Sequence, residues 1–301
     1  MYFKCRSAPI RGTVTAFACL AASIVITSIW EQPISAADSS LGIVNAGVEQ
    51  SEDGPFVSTS TVFLPGDYLY FMFQIAGFEI KTDEAADARQ ISLTYEVSVM
   101  DANGVALAPS SSGEIKTQLN PEDKDWIPKR RLSFLLPSFV AAGEYHVHVA
   151  ARDLFAGTQT AKDIPFRIGG EDIQHSDSII IEHFRFLREE NSREALQIPA
   201  YRPGDTVYTA FDITGYAFGP ENRYHIAYGV TVLRPDGKPF VEKPDAAEID
   251  SKSFYPAQFV PGTFNVISAR TSTRGEYVIV LTARDLIANR TCVTKQAFSL
   301  E

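Results

Sequence analysis

Three blocks of this chain occur twice in the same order, and this self-similarity limits the fold more than any single motif does. Residues 65–78 begin Pro-Gly-Asp, residues 203–216 do the same, and Pro65, Gly66, Asp67, Tyr70, Phe73, Ile75 and Gly77 recur as Pro203, Gly204, Asp205, Tyr208, Phe211, Ile213 and Gly215 at an offset of 138. Tyr95-Glu96-Val97-Ser98-Val99 leading to Asn103-Gly104 returns as Tyr228-Gly229-Val230-Thr231-Val232 leading to Asp236-Gly237, at an offset of 133. Gly143-Glu144-Tyr145 and Ala151-Arg152-Asp153-Leu154 return as Gly275-Glu276-Tyr277 and Ala283-Arg284-Asp285-Leu286, at an offset of 132. The offset changes only between blocks, as differences in loop length would make it.

The blocks have strand periodicity. From Tyr70 to Ile75 and from Tyr95 to Val99, aromatic and β-branched residues alternate with others, and Pro-Gly, Asn-Gly or Asp-Gly pairs bound the runs. Asn103-Gly104 and Asp236-Gly237 predict hairpins, because Asn, Asp and Gly tolerate the positive φ of tight turns. The one helix-like stretch, Glu189 to Leu196, is short enough to be a loop with at most one turn. Many short strands without helical crossovers predict an antiparallel sandwich in each copy. The expected division is a signal peptide at 1–37, one domain at 38–170, a linker at 171–178 following Gly169-Gly170, and a second domain at 179–301.

The N-terminus supports the first of those segments. Lys4, Arg6 and Arg11 precede an apolar run from Thr13 to Trp30, and Ser35-Ala36-Ala37 supplies the small residues that signal peptidase needs, which places cleavage after Ala37. An uncleaved membrane anchor is the alternative, since the run is near the minimum for spanning a bilayer. Cleavage would remove Lys4, Arg6, Arg11 and Glu31 from totals of 27 Lys+Arg and 37 Asp+Glu, leaving 24 against 36 and a formal charge of −12. Such a surface repels phosphate, so nucleic acid is not an expected partner, and a membrane is one only through an uncleaved N-terminus. Only Cys292 of the three cysteines would remain, so each copy must be held by core burial and not by a disulfide.

Gly-Glu-Tyr followed by alternating apolar residues resembles the tyrosine corner of immunoglobulin-like and fibronectin type III sandwiches, with Tyr145 and Tyr277 in the corner position. Val147 and Ile279 stand where an antibody domain has its second cysteine, and Trp126 has no counterpart in the second copy. The resemblance is therefore to the disulfide-free modules of bacterial exported proteins. It implies an all-β fold of two tandem immunoglobulin-like sandwiches and transfers no active site.

Few residues suggest chemistry. Asp67, Asp205, Asp153 and Asp285 lie beside turns, where a carboxylate either caps backbone N–H groups or, in a cluster, holds calcium. No dense Asp-x-Asp run favours the second option. His146 and His148 share one strand face, as paired zinc or copper ligands would, but match Val278 and Val280 on the side facing away from the core. Lys129-Arg130-Arg131, opposite Pro261-Gly262-Thr263 in the second copy, reads as a loop before a strand starting near Leu132 and is a possible docking patch for an acidic partner. No nucleophile elbow, P-loop or His-Glu-x-x-His motif is present, and Asn289-Arg290-Thr291 is a sequon that a bacterial exporter would leave unused. The expectation is a non-catalytic extracytoplasmic module, periplasmic, cell-surface or secreted, without metal or cofactor, that offers its sandwiches to a protein or glycan partner. Carbohydrate or metal binding on the outer sheet faces is the next reading, and an enzyme with a site between the domains the third.

Overall fold

The computed structural model describes residues 40–83, 88–120, 122–123, 126–174, 176–190, 192 and 194–301. The expected signal segment and His175 lie outside the described residues.

Alternating apolar residues drive two stacks of sheets. In the first, β1 (Gly42–Glu49), β3 (Tyr68–Ala76) and β7 (Lys129–Leu135) form a three-stranded antiparallel sheet in the order β1-β3-β7. A larger sheet has the order β2-β9-β8-β5-β4, from β2 (Val62–Phe63), β9 (Gln159–Ile168), β8 (Gly143–Asp153), β5 (Ala88–Asp101) and β4 (Lys81–Asp83), with β6 (Ser111–Leu119) also paired to β5. Leu69, Phe71, Phe73 and Ile75 of β3 and Val147 and Val149 of β8 are fully buried in one core cluster. Their burial is what fixes the register, since a slip by one residue would expose all of them.

The strand order then repeats. β10 (Ile180–Leu187), β12 (Thr206–Thr214) and β15 (Val260–Ile267) form the sheet β10-β12-β15. β11 (Ala200–Tyr201), β17 (Arg290–Leu300), β16 (Gly275–Asp285), β13 (Tyr224–Leu233) and β14 (Pro239–Ser251) form the sheet β11-β17-β16-β13-β14. Their core contains Val207, Phe211, Ile213, Tyr277, Ile279 and Leu281. Cys292 is half-buried and packs against this cluster.

The repeat extends beyond the blocks visible in the sequence. β1 bulges against β3 between Val44 and Gly47, and β10 bulges against β12 between Glu182 and Arg185. The bulge residues Asn45 and His183 both take positive φ, 45° and 49°. Asn45 donates to Gln74 at 2.6 Å, and His183 Nδ1 lies 3.1 Å from Asp212 at the matching place.

Two sequence expectations need adjustment. Positive φ at the hairpin turns falls on Gly104 (79°) and Gly237 (80°), and Asn103 and Asp236 do not share it. Asp101 Oδ1 instead accepts from the N–H groups of Asn103 and Val105, which stabilises the turn without a second left-handed residue. Lys129-Arg130-Arg131 is not a loop but the start of β7, paired with Gln74, Phe73 and Met72. A basic run suits that place because β7 is an edge strand, and charge discourages edge-to-edge pairing.

Ser39–Glu301 forms one compact unit. Tyr255, in the loop between β14 and β15, is buried among the β1–β9 core residues and donates to Asp101 Oδ2 at 3.1 Å. Nearby, the Gln258 N–H donates to Phe139 O at 3.0 Å.

Candidate functional site

The polar residues that both strand sets share are occupied by backbone. Tyr145 Oη donates to Ala141 O at 2.8 Å, and Tyr277 Oη to Thr273 O at 2.8 Å, so each phenol ties the start of its strand to the loop four residues before it. Tyr277 is covered by Phe240, edge-on at 5.7 Å. Tyr145 lies instead beside Asp101 and Tyr255, and its phenol is pushed up first by burial and then by the charge of Asp101, with hydrogen bonding to Tyr255 acting the other way.

Asp153 and Asp285 are buried and saturated. Asp153 accepts from the N–H groups of Glu79 (2.6 Å), Phe155 (2.8 Å) and Ala156 (3.3 Å). Asp285 accepts from Ala217 (2.9 Å), Ile287 (2.9 Å) and Ala288 (3.0 Å) in the same pattern. Each carboxylate bridges two loops and replaces the water that these N–H groups would otherwise need. Asp67 and Asp205 accept from Leu64 and Arg202, both at 2.8 Å, across the Pro-Gly turns.

His146 and His148 lie on the face of β8 away from the core, and His148 Nδ1 is 2.6 Å from Asp163 on β9. His183 sits by Asp212, and His225 Nε2 is 2.7 Å from Glu248. Each of these three histidines thus meets a carboxylate of its own, and among the described residues no group of three or more His, Cys, Asp or Glu is arranged to hold a metal.

The basic run is divided by strand alternation. Arg130 takes the side of Leu132 and Phe134, while Lys129 and Arg131 take the outer side with Ser133 and Leu135. Arg131 does not stand free. Its Nε and Nη2 donate to Glu49 at 2.9 and 3.0 Å, and Nη1 pairs with Asp53. Glu49 is only 2% exposed, so this fork is what keeps its charge satisfied. The bond to Glu49 in turn holds the Arg131 guanidinium above its ordinary pKa.

Beside this pair are two stacked tyrosines that the sequence reading did not single out as a site. Tyr68 and Tyr70 share the outer face of β3, with ring centroids 6.3 Å apart and planes inclined by 28°. Tyr68 is 56% exposed and is paired across the sheet with exposed Leu135; Tyr70 is flanked by Glu49 on β1 and Ser133 on β7. A recess of about 80 Å³ is lined by Tyr70, Glu49, Glu52, Arg131, Leu132 and Ser133. The available signal was the i, i+2 spacing of Tyr68 and Tyr70 beside a buried strand of Leu69, Phe71 and Phe73.

No family model matches the chain, and no curated protein does. Among solved structures, the C-terminal domain of the Streptococcus agalactiae AgI/II polypeptide BspA is similar at 12% identity and a TM-score of 0.28, over 84% of this chain and 99% of that one. The C-terminal domain of the Streptococcus pyogenes antigen I/II-family protein AspA gives 12% and 0.29, over 86% and 99%. The native conformation of Escherichia coli alpha-2-macroglobulin gives 11% and 0.27, over 88% of this chain and 17% of that one. Likeness at this level transfers neither partner nor activity.

Proposed function

We propose that the chain is a non-catalytic, extracytoplasmic binding module of two tandem immunoglobulin-like sandwiches, 38–170 and 179–301, joined by 171–178. The observation that carries this reading is the use of the shared polar groups. Tyr145 and Tyr277, Asp153 and Asp285, and Asp67 and Asp205 all bond to backbone in matching geometry, so what the two copies have in common is scaffold. A scaffold duplicated in this way leaves its exposed sheet faces to vary, and binding modules use such faces. The basic N-terminus, apolar run and Ser35-Ala36-Ala37 support export.

The test is binding of the purified full-length chain to the cell-envelope fraction of the organism that produces it, with mass spectrometry of the exported N-terminus. Saturable retention without chemical change of the bound material, and a mature chain beginning at Asp38, are expected. Turnover of envelope material by the chain, or no retention at all, would overturn the reading.

A further inference from the structure

The internal duplication isolates one feature that the fold does not require. Bulge, register and core are the same in both strand sets, so β1-β3-β7 can be compared with β10-β12-β15 position by position. Glu49 corresponds to Leu187, which is buried at 3% exposure in the second set. Arg131, paired with Met72, corresponds to Thr263, paired with Ala210, and exposed Tyr68 corresponds to Thr206. The second set therefore closes the same sheet with a leucine and two threonines. A buried ion pair gains little over apolar packing of similar volume, so stability does not account for Glu49 and Arg131.

We propose that the outer face of β1-β3-β7 binds a neutral glycan, with a pyranose ring on Tyr68 and Tyr70 and its hydroxyls on Arg131, Glu52 and Ser133. This deepens the binding-module reading and rests on it. A pyranose has an apolar face of C–H groups, which an exposed tyrosine ring covers, and a rim of hydroxyls that need fixed donors and acceptors. Tyr68 supplies an exposed ring that already stands in register with a second one. Arg131 is positioned by its fork to Glu49 before any ligand arrives, which removes the entropic cost of ordering a long side chain. The recess of about 80 Å³ beside Tyr70 adjoins the exposed Tyr68 ring, so a sugar resting on that ring can direct a substituent into it.

Charge selects within the carbohydrates. Glu49, Glu52 and Asp53 outnumber Arg131, so this edge repels uronic acids and sulfated sugars and offers acceptors to uncharged hydroxyls. The same surplus would suit a basic peptide, but Arg131 lines the recess together with Glu49 and Glu52 and repels a cationic side chain there, whereas sugar hydroxyls can use both its donors and the carboxylate acceptors.

Affinity electrophoresis of the full-length chain through gels containing laminarin, hydroxyethylcellulose, galactomannan or mannan tests the proposal, with polygalacturonate and polylysine as charged probes. Retardation by at least one neutral polysaccharide is expected, weakened about tenfold or more by Tyr68→Ala and by the double variant Glu49→Leu, Arg131→Thr. That double variant imports residues the second set already uses, and Thr206→Ala, at the matching place there, should bind as the parent does. Circular dichroism melts separate lost binding from lost folding. Retardation by none of the neutral polysaccharides, retardation insensitive to Tyr68→Ala, or retention by polylysine or polygalacturonate alone would each overturn the glycan site. If the chain and Tyr68→Ala are retained equally by cell envelopes while no polysaccharide retards either, the platform is wrong and the binding-module reading stands. If neither is retained, both fail.

Discussion

Replacing Tyr255 should destabilise β1–β9, strands that end at Ile168, far before it in the chain. This side chain belongs to the loop between β14 and β15, yet it is 3% exposed and sits in the core cluster of β1–β9. A tyrosine buries roughly 150 to 250 Å². At about 25 cal/mol per Å² that corresponds to about 4 to 6 kcal/mol as an upper figure. Truncation to alanine retains part of it, so Tyr255→Ala should cost about 3 to 5 kcal/mol, the range for buried aromatic-to-alanine changes. Tyr255→Phe keeps the ring but removes the bond to Asp101 and an acceptor for Gln258 Nε2. Loss of a hydrogen bond to a charged group should cost about 1.5 to 3 kcal/mol.

Trp126 makes the effect measurable, because in a chain of residues 38–301 it is the only tryptophan and lies between β6 and β7. Its fluorescence in urea reports the first strand set, and far-ultraviolet circular dichroism reports both. The parent should give coincident transitions, as one compact unit would. Tyr255→Ala should lower the fluorescence midpoint by about 1 M or more, given a slope of about 1 to 3 kcal/mol per M. An unchanged Trp126 midpoint would refute the inference that the loop between β14 and β15 completes the core of β1–β9.

Other expected outcomes are equally direct. Tyr145→Phe and Tyr277→Phe should each cost about 1 to 3 kcal/mol, since a buried backbone carbonyl loses its donor in both; unchanged denaturant midpoints in both would refute the tyrosine-corner reading. Asp285→Asn should cost about 1.5 to 3 kcal/mol for each backbone bond its single acceptor oxygen no longer serves, measured by thermal unfolding, and Asp153→Asn should behave alike because the bonding pattern is the same. Asp212 is pushed above its ordinary 3.8 by burial, with the bond to His183 and the charge of Arg185 acting the other way. The folded state therefore holds that proton more tightly than the unfolded chain, and this group's contribution to stability falls as pH rises from about 3.8 to the raised value. Asp212→Asn should remove that slope from a stability-against-pH curve; an identical curve for parent and variant would show that the carboxyl titrates normally.

Sequence periodicity made the strands legible because a sheet face is written in alternate residues. It gave the core side of β8 and β16 through Tyr145, Val147 and Val149 against Tyr277, Ile279 and Leu281. The bulges at Asn45 and His183 were harder to see, since Gly42–Glu49 and Ile180–Leu187 have diverged and what they share is a backbone conformation. Applying the 138-residue offset backwards from Pro65 and Pro203 would have aligned them. The loop expected at Lys129–Arg131 is a strand, and alternation there sends Arg130 to the face opposite Lys129 and Arg131. Nothing local reveals that Arg131 meets Glu49, a residue 82 positions earlier. Tyr255 was illegible for a similar reason, since its partners belong to the other copy.

The two copies act as controls for each other, and this gives the assignment of roles a physical basis. Where both copies place the same group in the same bonds, as at Asp153 and Asp285, removing it in either one should unfold a loop junction, and its presence says nothing about a ligand. Where the copies differ at equal burial, as at Glu49 and Leu187, the fold has shown that it tolerates either solution. The charged solution is the more demanding of the two, because a carboxylate at 2% exposure requires Arg131 to stay in one geometry, whereas Leu187 requires only contact. An arginine held fixed at the edge of an exposed aromatic pair is an arrangement that folding alone does not require, so recognition, and not stability, is the physical reason to look for at this face.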